Sequence, residues 1–286
     1  MRLSSKRRTD PSLAFQLPEA DRSQVRIGPW TVDVLRMGEG DPVVLVPGLA
    51  GGPKLLTPLA RRLARHHEVI LYGLRGDRQW LGGPRALSIG TYAQDLAELL
   101  DVLGLETPTI FGVSFGGAIA LELAAEFSHR VGALVISGVE SRFRALTGAR
   151  IARSALERFP LPSDSPFLNQ FFNLLHAGKP QPGVLTDFIT ARLWETDQSV
   201  IASRLALLED FDVTDRLWRI DVPTLVLAGS RDAIVSSTRQ KLLADSIDGA
   251  TFSTLDGAGH VGFLTHRAEV ARQFALWSVG ARQMPC

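Results

Sequence analysis

The sequence predicts an α/β protein, a mostly parallel, doubly wound sheet with a helical cap inserted late in the chain. Three observations carry that expectation. Short apolar runs alternate with helical patterns from residue 30 onward. Most of these runs are continuous rather than alternating, as strands covered on both faces require. The alternation then stops between about residues 141 and 210, where helix formers are broken only by Pro- and Gly-rich turns.

Taken in order, the chain opens on "MRLSSKRRTDPSLAFQLPEADRSQ", with four basic residues in its first eight. It lacks the apolar core of a secretory signal and reads as a flexible, solvated tail over 1–26. "WTVDVLRMG" alternates and suits an antiparallel strand near the sheet edge. The continuous runs follow: "PVVLV" (42–46), "EVILY" (68–72), "TIFGV" (109–113), "ALVIS" (133–137), "PTLVLA" (223–228) and "ATFSTL" (250–255). Between the second and third, "TYAQDLAELLDVLGL" places Tyr92, Leu96, Leu99, Leu100 and Leu103 on one helical face. Thr91 with Gln94 three residues later suggests a capping box, and Gly104 a stop. Residues 141–210 then form the cap, which leaves 27–140 and 211–286 as the core.

Composition narrows the function classes. A net charge of +1 offers no footprint for nucleic acid. No apolar run reaches 18 residues, so no membrane span is expected. The single cysteine, Cys286, excludes an internal disulfide and fits a reducing, cytoplasmic setting. A small-molecule substrate and a monomer or homodimer are the expected partners.

The chemistry concentrates at "TIFGVSFGGAIALEL". Gly112-Val113-Ser114-Phe115-Gly116 matches G-x-S-x-G, with a strand before it and a helix after it. Alone, the pentapeptide is a weak signal; in register with strand and helix it is specific. The turn must hold Ser114 in a strained conformation, and glycines two residues away relieve the crowding. The following helix directs its N-terminus at the serine, favouring negative charge there.

A serine hydroxyl is a poor nucleophile until a base takes its proton, and that base needs an acid to orient it. "LAGSRDAIV" places Asp232 just after one strand, and "DGAGHVGF" places His260 just after the next. Both lie in loops beyond strand C-termini, where open α/β sheets build their sites. The order Ser, Asp, His belongs to this type of elbow. Two plainer roles remain open: Asp232 as a helix cap and His260 as a turn residue. The other histidines, His66, His67, His129, His176 and His266, read as surface positions. Acyl transfer also needs an oxyanion hole, for which the Leu49 N–H in "VVLVPGLAGGP" and the Phe115 N–H are the expected donors.

With these residues in place, the sequence resembles the α/β-hydrolase superfamily over about residues 27 to 280. The elbow, the glycine-rich loop after "PVVLV", "RIDVPTLVLAGSRD" and "GAGH" carry the resemblance. It implies Ser114 as nucleophile, His260 as base, Asp232 as acid and a helical lid at about 141–210. Glu140 stands where some relatives carry an alternative acid. Two departures are visible: Pro47-Gly48 replaces the frequent His-Gly of the oxyanion loop, and "GLRGDRQW" keeps only Arg75 and Gly76 of a common family stretch.

The function expected is that of a serine hydrolase cleaving a carboxylic ester or similar small acyl substrate, with no metal or cofactor needed by the triad. The same triad supports carbon–carbon bond hydrolysis, lactone opening or cofactor-free perhydrolysis. A non-catalytic binding protein of the same fold is the reading from another class. In the cap, Phe159, Phe167, Phe171 and Phe172 are candidates to line an apolar pocket, with Phe171 and Phe172 foremost; packing the cap onto the core is the competing role.

Overall fold

Eight strands join in one sheet in the order β1-β2-β4-β3-β5-β6-β7-β8. They are β1 (Asp21–Ile27), β2 (Trp30–Met37), β3 (Pro42–Val46), β4 (Glu68–Tyr72), β5 (Thr109–Val113), β6 (Ala133–Ser137), β7 (Thr224–Gly229) and β8 (Thr251–Leu255). Only β1 and β2 run antiparallel to their neighbours; every other pairing is parallel. The computed structural model describes residues 15–76, 87–143, 154 and 166–281. Phe159, the side chain of Phe167, most of "LPSDSP" and the end of "GLRGDRQW" lie outside the described residues.

The continuous apolar runs become strands because both faces of the sheet are covered. Val44, Val46 and Ile110 enter one core with Leu96, Leu99 and Ile119. Their neighbours Val43, Leu45 and Phe111 enter the opposite core with Leu59 and Phe274. Adjacent residues on a strand point to opposite faces, so a strand buried on both sides has no place for a polar alternation. Helices α3 (Ile89–Val102) and α4 (Phe115–Glu126) supply the first core. Helix α2 (Thr57–Leu63), after the short α1 (Gly52–Leu55), and α10 (Arg267–Ala281) supply the second.

Two expectations about element boundaries are corrected. Residues 21–26 belong to strand β1 rather than to a tail, paired to β2 from Asp21↔Arg36 through Ile27↔Trp30. Upstream of it, Leu17 is buried and the Phe15 ring packs edge-on against Phe188 at 5.1 Å. The polar composition hid this strand because it lies at the sheet edge, where Asp21, Arg22, Ser23 and Gln24 face solvent. Charged residues on an edge discourage pairing with other chains. The N-cap of helix α3 lies three residues before the suggested one: Ser88 is the cap, and its hydroxyl accepts from the Thr91 N–H at 3.1 Å. At the other end, Gly104 adopts φ +67°. There Gly104 N–H bonds the Asp101 carbonyl and Leu105 N–H the Leu100 carbonyl, a Schellman closure.

Among the described residues, the segment between β6 and β7 contains α5 (Pro166–His176), α6 (Val184–Leu193) and α7 (Gln198–Glu209). The two ends of this insertion meet at its base. Phe143 N–H donates to Phe211 and Val213 N–H to Ser141, beside an isolated bridge between Arg142 and Asp212. After β7 come α8 (Ser237–Asp245), β8 and the short α9 (Gly262–Thr265). No helix among the described residues is long and apolar enough to cross a membrane.

Candidate active site

Strand β5 ends at Val113, α4 begins at Phe115, and Ser114 alone makes the turn between them. It does so at φ +53°, ψ −119°, a conformation L-residues rarely adopt. Its N–H is held by the Ser137 carbonyl at 2.8 Å and its carbonyl accepts from Gly117 and Ala118. The glycines of the motif are required by close approach. A Cβ on Gly112 would overlap the Gly116 carbonyl, and one on Gly116 would overlap the carbonyls of Val46 and Pro47. Helix α4 therefore presses against the end of β3, which brings the loop after β3 to Ser114. At Gly48 an added Cβ would stand 3.6 Å from the Ser114 Cβ.

The structure brings together the three residues singled out in the sequence. Ser114 Oγ lies 3.0 Å from His260 Nε2, and His260 Nδ1 lies 2.9 Å from Asp232 Oδ2. His260 and Asp232 are buried, while Ser114 retains partial access to solvent. Asp232 is not a helix cap: that task falls to Ser236, whose hydroxyl accepts from Arg239 N–H at the start of α8. The other Asp232 oxygen, Oδ1, accepts from the N–H groups of Ile234 and Val235 at 2.8 and 3.0 Å. The carboxylate is thus fixed from both sides, with one oxygen left for the imidazole. Glu140 is engaged elsewhere, in an ion pair with Arg239 at 3.1 Å.

Of the expected oxyanion donors, Phe115 directly follows Ser114, and Leu49 follows Gly48, the residue that approaches the Ser114 Cβ. Phe115 is the first residue of α4, at the helix end where N–H groups lack intrahelical partners. Leu49 sits half-buried in the loop between β3 and α1. The two cap phenylalanines separate: Phe172 is buried in the core shared with Phe188 and Leu175, 6.4 Å from the Trp194 ring, whereas Phe171 is 37% exposed.

Several residues that matter to the site carried no sequence signal. Gln240 is fully buried in α8 and joins three parts of the site. Its amide nitrogen donates to the Val235 carbonyl at 2.8 Å and lies 3.4 Å from Asp232 Oδ2. Its amide oxygen accepts from Gly138 N–H at 2.8 Å. Gly138, at φ +68°, is the floor beneath the imidazole: a Cβ there would stand 2.8 Å from His260 Cε1. Gly259 is the matching contact on the cap side, where an added Cβ would meet the backbone of Leu175, His176 and Ala177 at 2.7 Å. Three histidines expected at the surface are not fully exposed: His67 is buried beside the Phe274 ring, and His176 and His266 are half-buried. Burial holds the His176 imidazole below the ordinary histidine range, against an opposing hydrogen bond to Phe172. Arg75, retained from the family stretch, bonds Asp95 and lies over the Trp30 ring at 4.3 Å.

A family model described as the alpha/beta hydrolase fold matches residues 41–267, and the chain belongs to that family. A putative carbamate hydrolase RutD of Azorhizobium caulinodans is 32% identical over 234 residues, covering 78% of this chain and 85% of that protein. The polyketide synthase ThaQ of Burkholderia thailandensis is also 32% identical, over 82% of this chain, but the chain spans only 12% of its length. Among solved structures, a hydrolase from Pseudomonas aeruginosa superimposes with a TM-score of 0.80 at 22% identity, covering 90% of this chain and 98% of that one. Hydrolysis is the class of activity that family membership supports.

Proposed function

We propose that the protein is a serine hydrolase of small acyl substrates, with a carboxylic ester as the leading substrate class. The observation that carries this reading is the continuous relay from Ser114 Oγ to His260 Nε2 at 3.0 Å, and from His260 Nδ1 to Asp232 at 2.9 Å, on a serine held at φ +53°. In this mechanism Ser114 Oγ attacks the substrate carbonyl carbon while His260 Nε2 takes its proton. The developing oxyanion is received by the N–H groups of Leu49 and Phe115. Collapse expels the alcohol, protonated by His260, and leaves an acyl group on Ser114. Water, deprotonated by the same imidazole, then releases the acid. Asp232 stabilises the imidazolium and fixes the tautomer throughout.

A carbamate is the second reading, favoured by the 32% identity to the RutD relative. It uses the same steps, with a carbamoyl group on Ser114. Lactones and carbon–carbon bonds α to a carbonyl fall within reach of the same triad. A panel of p-nitrophenyl esters of rising acyl length, with a p-nitrophenyl carbamate beside them, separates the leading readings. Turnover of the esters, abolished in Ser114→Ala, is the expected result. A wild-type protein that turns over none of the panel and resists a fluorophosphonate probe removes the serine-hydrolase reading.

A further inference from the structure

The loop expected to form half of the oxyanion hole is held by the cap. Arg204, on α7, is 1% exposed and is the bulkiest of the fully buried side chains among the described residues. Its Nη1 donates to the Leu49 carbonyl at 2.8 Å, and its Nη2 donates to the Arg75 carbonyl at 3.1 Å. The guanidinium carbon lies 5.7 Å from the Phe115 ring centre and 6.0 Å from that of Tyr92. A second cap residue, Thr196, accepts the Gly51 N–H at its hydroxyl at 2.8 Å.

These contacts bracket one peptide. On its N-terminal side, Val46 and Pro47 are wedged against Gly116 so closely that no Cβ fits there. On its C-terminal side, the Leu49 carbonyl is fixed by Arg204 and the Gly51 N–H by Thr196. What lies between is the Leu49 N–H. Burying a guanidinium is costly unless its donors are satisfied. Here two of those donors end on main-chain carbonyls of the loops after β3 and β4. A glycine-rich loop has many conformations close in energy. Among them are ones that turn a carbonyl, rather than an N–H, toward a developing oxyanion.

We propose that Arg204 is a positioning residue for the oxyanion hole. It holds the Leu49 carbonyl away from the reacting centre so that the Leu49 N–H faces it, with Thr196 as a second tether. The cap thereby sets the electrostatics of the core site as well as covering it. The proposal rests on the serine-hydrolase reading above.

The test uses Arg204→Met, Arg204→Lys and Thr196→Val in the full chain, assayed with p-nitrophenyl acetate, a fluorophosphonate probe and a trifluoromethyl ketone. That ketone binds serine hydrolases as a hemiketal anion and so reports on the oxyanion hole. A mispositioned donor should cost somewhat less than a deleted one, which costs about 10²–10³ in kcat. Arg204→Met should therefore lower kcat by about 10–100-fold with KM nearly unchanged, and weaken the trifluoromethyl ketone by a similar factor. Arg204→Lys, which restores a single donor without the fork, should recover part of the loss. Thr196→Val should lose several-fold in kcat, and it decides the matter if Arg204→Met does not fold. Wild-type kcat and ketone affinity in the folded variants, with only the melting temperature lowered, would overturn the proposal and leave the serine-hydrolase reading standing. A wild type that the fluorophosphonate fails to label would remove both.

Discussion

The sheet core and the helical insertion between β6 and β7, the expected cap, are built on different rules. In the core, strands β3 to β7 are almost wholly buried, and Ser114, Asp232 and His260 stand on turns after β5, β7 and β8. In the cap, helices bury only part of each surface: α6 buries Phe188, Ile189 and Arg192, and α7 buries Ala202, Arg204 and Leu208. The core positions Ser114, His260 and Asp232 through backbone geometry and glycines. The cap reaches the same site through hydrogen bonds to main chain. Thr196 and Arg204 meet the loop after β3, and the Leu175 carbonyl accepts the Val261 N–H at 3.1 Å beside His260. The difference teaches that two regions built on different rules can meet at one set of turns, one through close packing at glycines and the other through side-chain bonds to main chain.

The sharpest way to break this comparison is to remove core chemistry while leaving the cap alone. Ser114→Ala should lower turnover by a factor on the order of 10⁶. The fold should survive, because a half-exposed hydroxyl is lost from a turn whose main-chain bonds remain. The measurement pairs kcat with the thermal midpoint; residual ester turnover near wild type would move the nucleophile elsewhere. Asp232→Asn should follow, with a loss of about 10⁴ from the wrong imidazole tautomer. Glu140→Gln should do far less, since Glu140 faces Arg239 rather than His260. The opposite ranking would reassign the acid.

Moving into the cap, the two neighbouring phenylalanines should part company. Phe172→Ala empties a buried site and should cost about 3 kcal/mol, read by denaturant melts. Phe171→Ala removes an exposed ring and should leave stability within about 0.5 kcal/mol. If Phe171 meets the acyl chain, its loss should shift the preference among ester lengths while acetate is spared. Equal loss across all lengths would assign it to packing alone. A smaller effect of another kind is expected in the core at Gln240. Its replacement by Leu strands the buried Gly138 N–H, at a cost of about 1–3 kcal/mol.

What could be read in the sequence, and what could not, follows the same division. Strands β3 to β7 were legible because burial on both faces forces continuous apolar runs, and β8, a partly exposed edge strand, from its β-prone residues. Ser114, Asp232 and His260 were legible because each follows one of these strands. Strand β1 escaped because an edge strand with polar, exposed residues has the composition of a tail. The start of α3 was misplaced because Thr91 offers the same hydroxyl chemistry as Ser88, and only tertiary placement chooses between them. Gln240 and Arg204 were invisible for a shared reason. Each bonds a main-chain atom far away in the sequence, the Gly138 N–H for Gln240 and the Leu49 carbonyl for Arg204. A bond to a backbone carbonyl or N–H imposes no residue type on the partner, so it leaves no pattern to find.

The smallest effect expected lies at the contact between cap helix α5 and the loop that carries His260. Near the end of α5, His176 Nδ1 lies 2.9 Å from the Phe172 carbonyl. Its Nε2 is buried with no hydrogen-bond partner among the described residues. Burial lowers its pKa below the ordinary value of 6.5, so the folded cap resists protonation that the unfolded chain accepts. The sign follows: this contribution is complete above pH 6.5 and is lost progressively as pH falls from there toward the lowered folded value. Protonation should loosen the end of α5, and with it the bond from Val261 N–H to Leu175. Amide exchange at Val261, corrected for its intrinsic pH dependence, should therefore show less protection at pH 5.5 than at pH 7.5. In His176→Gln, which keeps a donor but cannot be charged, that difference should shrink. An unchanged difference would place the acid sensitivity of this contact in another group and leave the cap anchored to the His260 loop by packing alone.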